Sequence, residues 1–195
     1  MAKHPDFYTG RLGNRLFQIA YLYSQVRDGI IPDWYVQNYK LWEKYADEIK
    51  KLFNDGIGYL PYTAIHLRVG ANPINPDEPA YMDNPYYTSL AKTGYYAKAI
   101  EHFPHGKFLV FSDDQNFAKT YFEGDRFAFD ESESDIEAFN KLSSCENIII
   151  ANSSFSWWAA FCCPHIDKKV LYPSLWFNGN IEGVSCPPDW TKIEV

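Results

Sequence analysis

The sequence is poor in positive charge, in cysteine and in long apolar runs. Lys and Arg number 18 against 25 Asp and Glu, a formal net charge of −7, which argues against a nucleic-acid or anionic-membrane partner. The four cysteines have no CxxC or zinc-type spacing, so we expect no structural metal. No apolar run approaches the roughly 20 residues of a membrane helix, and residues 1–10 contain no apolar signal region. The simplest expectation is a cytoplasmic protein.

Aromatic residues, in contrast, are abundant. The 195 residues include 15 Tyr, 14 Phe and 6 Trp, and 46% of the chain is hydrophobic. This composition is typical of a globular protein of one domain or two small lobes. Aromatic side chains line sugar and base sites, but most of these are expected to fill the core, including the neighbours Trp157 and Trp158. Cys162 and Cys163 are likewise expected to be small core residues.

Apolar β-rich runs alternate with amphipathic segments from residue 62 onward. The predicted strands span 63–69, 107–112, 126–129, 147–151 and 169–172, the last strand of the chain. The predicted helices span 84–103, 113–121, 134–144 and 153–163. This alternation predicts an α/β fold with a Rossmann-like parallel sheet covered on both faces.

The first 61 residues have a different pattern. A glycine-containing turn, residues 10–14, leads into a predicted helix over 15–26, and a second amphipathic helix is predicted over 39–52. We therefore divide the chain into an N-terminal lobe, 1–61, and a sheet domain, 62–195.

Polar residues cluster where three predicted strands end. His66 and Arg68 end one strand, residues 112–114 follow another, and residues 152–156 follow a third. The carboxyl ends of parallel strands lie on one rim, where α/β sheets bind ligands. The three clusters together predict a binding site.

Each cluster has a functional and a structural interpretation. A strand arginine such as Arg68 needs an anion, either a phosphate held by the guanidinium fork or a structural carboxylate. The carboxylates of Asp113 and Asp114 can coordinate a metal ion, or accept hydrogen bonds from a nucleobase or a sugar. The structural alternative is helix capping, for which Asp113 is well placed. At the start of the helix after residue 152, backbone N–H groups and serine hydroxyls could together bind a phosphate. The structural alternative is that Asn152 or Ser153 simply caps the helix.

Four segments in this order resemble glycosyltransferase family 11, the inverting α-1,2-fucosyltransferases. They are GRLGN at 10–14, HLRVGAN at 66–72, FSDD at 111–114 and NSSFSWW at 152–158. The resemblance spans about residues 8–177, and the last segment is the most specific. It implies a GT-B-like fold with a reduced N-terminal lobe, GDP-fucose as donor, a glycan acceptor and no metal cofactor.

The resemblance also implies roles for individual residues. Arg68 matches the arginine that contacts the β-phosphate, and Asn14 lies in the loop that faces the fucose and the acceptor; these two are the expected catalytic residues. The expected donor-binding residues are Gly10, Arg11, Gly13, His66, Asp113, Asp114, Asn152, Ser153, Ser154, Phe155 and Ser156.

The sequence departs from the family pattern at two motif positions and in length. Val69 replaces a second motif arginine and Ala71 a motif aspartate, so HLRVG is closer to the protein O-fucosyltransferases. Only 51 residues separate GRLGN from HLR, which indicates a shortened acceptor-side lobe. The candidates for the general base that deprotonates the acceptor hydroxyl are then Asp77, Glu78, Asp83 and the departing phosphate.

Two other functions fit the same residues. One is a metal-dependent sugar transferase that holds a cation with Asp113 and Asp114. The other is a non-catalytic module that binds a GDP-sugar or a glycan. The sequence leaves the acceptor, the linkage and the oligomeric state open.

Overall fold

The computed structural model describes residues 12–27, 38–53, 57–71, 77–179 and 184–195. Its described helices are α1 (Leu12–Arg27), α2 (Ala46–Phe53), α3 (Tyr95–Glu101), α4 (Gln115–Tyr121), α5 (Asp135–Ser143) and α6 (Ser154–Cys162). Its strands are β1 (Leu60–Leu67), β2 (Phe108–Ser112), β3 (Phe127–Phe129), β4 (Cys145–Ile149), β5 (Val170–Pro173) and β6 (Thr191–Ile193).

The six strands form one sheet in the order β3-β2-β1-β4-β5-β6, and every neighbouring pair is parallel. This is the strand order of doubly wound Rossmann folds. The predicted α/β class, with a Rossmann-like parallel sheet, is confirmed and is consistent with a GT-B-like fold.

Side chains of alternate strand residues build a core on each face of the sheet. On β1, Ala64 belongs to one core cluster and Ile65 to the other. Helices α1, α2, α5 and α6 contribute buried residues to the first cluster, and α3 and α4 contribute to the second. The described part of residues 12–53 thus shares a core with the sheet, and the division at residue 61 stays a prediction.

Tryptophans dominate the core beneath α6. Trp157 and Trp158 are both fully buried, as predicted. Trp42 stacks on Trp158 with ring centroids 5.4 Å apart and planes 13° from parallel. Cys162 and Cys163 are buried in the same cluster, which confirms them as core residues.

Four elements differ from the sequence prediction. The described part of the turn expected over residues 10–14 is helical, because α1 begins at Leu12 and not at residue 15. The helix expected from residue 84 begins only at Tyr95, because residues 85–88 are held by the 176–178 segment, including an antiparallel bridge between Tyr87 and Phe177. The helix expected over 39–52 is two 3-10 turns followed by α2, with the buried Trp42 between the turns. The short edge strand β6 was not predicted, because only Ile193 of its three residues is buried.

The buried thiols and phenols make stability sensitive to high pH. Burial raises the pKa of Cys145 and of Cys162 from 9.0 to about 12, and raises that of Tyr95 well above 10.0. The unfolded chain therefore loses these protons at lower pH than the folded chain does. Stability should be complete below about pH 9 and fall by about 1 kcal/mol per buried thiol for each pH unit above it.

Thermal melts followed by circular dichroism between pH 8 and pH 11 would measure this loss. We expect the melting temperature to fall by several degrees from pH 9 to pH 10, at about 2–4 °C per kcal/mol. A melting temperature that stays constant up to pH 11 would contradict the expectation.

No helix in the described ranges is long and apolar enough to cross a membrane.

Candidate functional site

A crevice at the carboxyl ends of β1 and β4 is the natural ligand site of this sheet. From β1 the chain builds β2 and β3 on one side, and then crosses to build β4, β5 and β6 on the other. The helices that follow β1 and β4 therefore cover opposite faces, which opens a crevice between the two strand ends.

A cleft of about 880 Å³ occupies this position. It brings together eight of the residues expected from the sequence: Asn14, His66, Arg68, Asp113, Asn152, Ser153, Ser154 and Phe155. Gly13, Asp114 and Ser156 do not line it. Gly10 and Arg11 lie outside the described residues.

Arg68 lies in the wall of the cleft with 7% of its side chain exposed. Its Nη1 forms an ion pair with Oδ2 of Asp113, whose side chain is 21% exposed. Its guanidinium also lies 4.7 Å from the centroid of the Tyr81 ring. The carboxylate partner considered for Arg68 is thus present, and contact with a phosphate stays a prediction.

Asp113 connects the ends of β1 and β2. Its Oδ1 accepts a hydrogen bond of 2.9 Å from the backbone N–H of Val69. A Cβ added to Gly70 would come within 3.0 Å of the Asp113 carboxyl group, so Gly70 permits this close approach. The FSDD and HLRVG motifs therefore contact each other directly.

Asp114, and not Asp113, caps the following helix. The Oδ1 of Asp114 accepts a 2.9 Å hydrogen bond from the N–H of Phe117 at the start of α4. Asp114 directly precedes the first helical residue, whereas Asp113 is held at the end of β1. The expectation that Asp113 suits the cap was wrong.

The start of α6 contains both structural and cleft-lining polar groups. Ser153 occupies the N-cap position but makes no side-chain cap hydrogen bond. Ser156 is fully buried, and its Oγ accepts from the N–H of Ala151 at 3.2 Å. The buried Asn152 donates through Nδ2 to the carbonyls of Thr88, at 2.8 Å, and Trp176, at 2.9 Å. Asn152 thus holds two loops at the edge of the cleft.

The N-terminal motif docks on the start of α6. The hydroxyl of Ser154 donates a 2.6 Å hydrogen bond to Oδ1 of Asn14. A Cβ added to Gly13 would lie only 2.3 Å from the backbone carbon of Ser154. Gly13 therefore serves helix packing, and Asn14 reaches the cleft because that packing is so close.

His66 is buried at the base of the cleft. Its ring centroid lies 5.5 Å from that of Phe155, and its carbonyl accepts a 2.8 Å hydrogen bond from the hydroxyl of Tyr96. The predicted placement of His66 beside Arg68 and the start of α6 is therefore observed.

Sequence reasoning missed an aromatic row and an acidic rim. Tyr81 stacks on Tyr87 with centroids 4.2 Å apart, Tyr87 contacts Phe177 at 5.6 Å, and all three line the cleft. The acidic segment 130–135, which belongs to none of the four motifs, also lines the cleft. The segment follows β3, so its place at the carboxyl end of a predicted parallel strand could have indicated that it lies on the same rim.

The three carboxylates considered as bases lie elsewhere. Asp83 is exposed and pairs with Lys92 at 2.7 Å. Asp77 and Glu78 are exposed, and none of the three lines the cleft. Among the described residues, no three His, Cys, Asp or Glu side chains form a group that could hold a metal ion.

Part of the chain matches a known protein family. Residues 80–171 match the model of glycosyl transferase family 11. This region contains α3–α6, β2–β4 and the cleft-lining residues of two of the four motifs, FSDD and NSSFSWW. The resemblance to glycosyltransferase family 11 is thus confirmed over this part of the chain.

Two curated proteins of Escherichia coli are similar to the chain. An O-antigen biosynthesis glycosyltransferase, WbnK, is 28% identical over 91% of this chain and 59% of its own length. An alpha-1,2-colitosyltransferase is 25% identical over 81% of this chain and 60% of its own length. The chain thus spans about three fifths of the length of these relatives. No solved structure matches it.

Proposed function

We propose that the protein is a glycosyltransferase that transfers fucose from GDP-fucose to a hydroxyl of a glycan acceptor, with inversion and without a metal. One observation carries the proposal: Arg68 and the start of α6 share one cleft at the switch point of a Rossmann-like sheet. A guanidinium and the N-terminus of a helix are two groups that bind phosphate well.

The proposed reaction is a direct displacement. The acceptor oxygen forms a bond to the anomeric carbon of fucose while the bond from that carbon to the β-phosphate oxygen breaks, and GDP leaves. Negative charge therefore grows on the β-phosphate. Arg68 and the backbone N–H groups at the start of α6 stabilise that charge most strongly when it is fully developed.

The acceptor hydroxyl also loses a proton. Asp77, Glu78 and Asp83 do not line the cleft, so their position favours the other candidate from the sequence. We propose that the departing phosphate oxygen receives the proton.

Three contacts support metal independence. Asp113 already binds Arg68 and the N–H of Val69, and Asp114 caps α4. The two carboxylates are thus directed to different partners rather than to one cation. A metal-dependent transferase would lose activity in EDTA, and undiminished activity is the expected result.

A transfer assay tests the proposal directly. The purified protein would receive labelled GDP-fucose or GDP-mannose with a panel of glycan acceptors, each with and without EDTA. A colitose donor forms a third arm, because one relative is named a colitosyltransferase. We expect transfer from GDP-fucose only.

The remaining outcomes separate the alternatives. Calorimetric binding of GDP without transfer or donor hydrolysis would identify a non-catalytic nucleotide-sugar module. Absence of both GDP binding and transfer would overturn the proposal.

A further inference from the structure

Tyr81 is a cleft residue that neither the motifs nor the proposed chemistry assigns. It belongs to the loop after β1, and backbone hydrogen bonds return this loop to the end of the strand. The N–H of Tyr81 donates to the carbonyl of Gly70 at 2.8 Å, and that of Met82 donates to the carbonyl of Val69 at 3.2 Å. Tyr81 is therefore fixed beside Arg68.

The Tyr81 ring is also held at its far end and on its face. Its hydroxyl donates a 3.1 Å hydrogen bond to the carbonyl of Asn152, next to the start of α6. Tyr87 stacks against it with planes 18° from parallel. The ring consequently bridges the ends of β1 and β4, across the crevice where the phosphates are proposed to lie.

Arg68 meets this ring at 4.7 Å, within cation–π range. Asp113 binds the same guanidinium through an ion pair. Two contacts from different loops thus restrict the long arginine side chain. Restricting a side chain before a ligand arrives lowers the entropy lost on binding.

We propose that Tyr81 is a positioning residue for Arg68, which orients the guanidinium toward the β-phosphate of the nucleotide. This inference rests on the proposed function, in which Arg68 binds that phosphate. The residue acts through Arg68, so its effect should be confined to ligands that carry a β-phosphate.

Calorimetry with GDP and with GMP tests this prediction on two variants of the full chain. Tyr81→Leu removes the ring, and Tyr81→Phe keeps it while losing the hydroxyl. We expect Tyr81→Leu to weaken GDP binding about tenfold, as for a partly desolvated cation–π contact, with GMP affinity changed less than about twofold. Tyr81→Phe should bind both nucleotides within about threefold of the original protein, because a single neutral hydrogen bond contributes little.

A structural role would give a different pattern. Parallel loss of GDP and GMP affinity in Tyr81→Leu would indicate general damage to the cleft and overturn the inference, as would unchanged GDP affinity. Circular dichroism verifies folding, and Tyr81→Met, which also lacks a ring, replaces the leucine variant if that one fails to fold. If the original protein binds no GDP, the proposed function itself fails, which is a separate outcome.

Discussion

Replacing Arg68 with alanine is expected to lower transfer from GDP-fucose by about 100- to 1000-fold, the usual cost of losing one preorganised donor to the developing charge. The loss should appear mainly in kcat, because the contact strengthens as the bond to phosphate breaks. The fold should survive, since Asp113, the residue that loses its partner, is partly exposed and can be hydrated. Steady-state kinetics with labelled donor would measure the effect.

Arg126 offers a matched control for this experiment. Its guanidinium stacks on Phe108 at 5.0 Å and bonds to the carbonyls of Gly106 and Phe103, but it does not line the cleft. Arg126→Ala should leave kcat within about twofold, as expected for a residue outside the site. If Arg68→Ala retained turnover similar to that of Arg126→Ala, the role of Arg68 would be wrong.

A methyl group at Gly13 is expected to cause the largest loss of stability. Alanine is favoured over glycine inside helices by up to about 1 kcal/mol, but here its Cβ would meet the backbone of Ser154 and Phe155 at 2.3–2.5 Å. Backbone atoms cannot rotate away as a flexible side chain can, so α1 must shift from α6. We expect Gly13→Ala to cost about 3 kcal/mol and to lower the melting temperature by about 6–12 °C.

Gly58 provides the corresponding control. An added Cβ at this position finds its nearest atom, the hydroxyl oxygen of Ser144, at an ordinary 3.9 Å. Gly58→Ala should therefore change the melting temperature by less than about 2 °C, as for most substitutions without a steric conflict. Equal melting temperatures for the two variants would show that α1 does not dock on α6 as described.

The periodicity of the sequence predicted much of the fold. Five of the six strands, and the polar ends of β1, β2 and β4, follow from runs such as residues 147–151, in which apolar residues are bounded by polar ones. The site residues on those strand ends could be placed for the same reason, because parallel strands bring their carboxyl ends to one rim.

What the sequence did not predict depends on contacts between distant segments. Residues 85–88 have the signals of a helix start, yet the side chain of Asn178 donates to the carbonyls of Pro85 and Tyr87, and the segment forms a turn and an isolated β-bridge instead. Tyr81 reaches Arg68 only because its loop folds back on Gly70. Local propensity contains no information about either partner.

The packing of α1 on α6 has a consequence for synthesis of the chain. Leu16, Phe17 and Ala20 are buried in the cluster that contains α6, but about 140 residues separate Phe17 from Trp157, its ring partner on α6. At about 5–20 residues per second, a ribosome needs roughly 7–28 s to make that stretch. During this time α6 does not yet exist to cover the apolar face of the nascent helix. We therefore expect the growing chain to bind holding chaperones. We also expect the yield of folded protein to depend on the speed of translation.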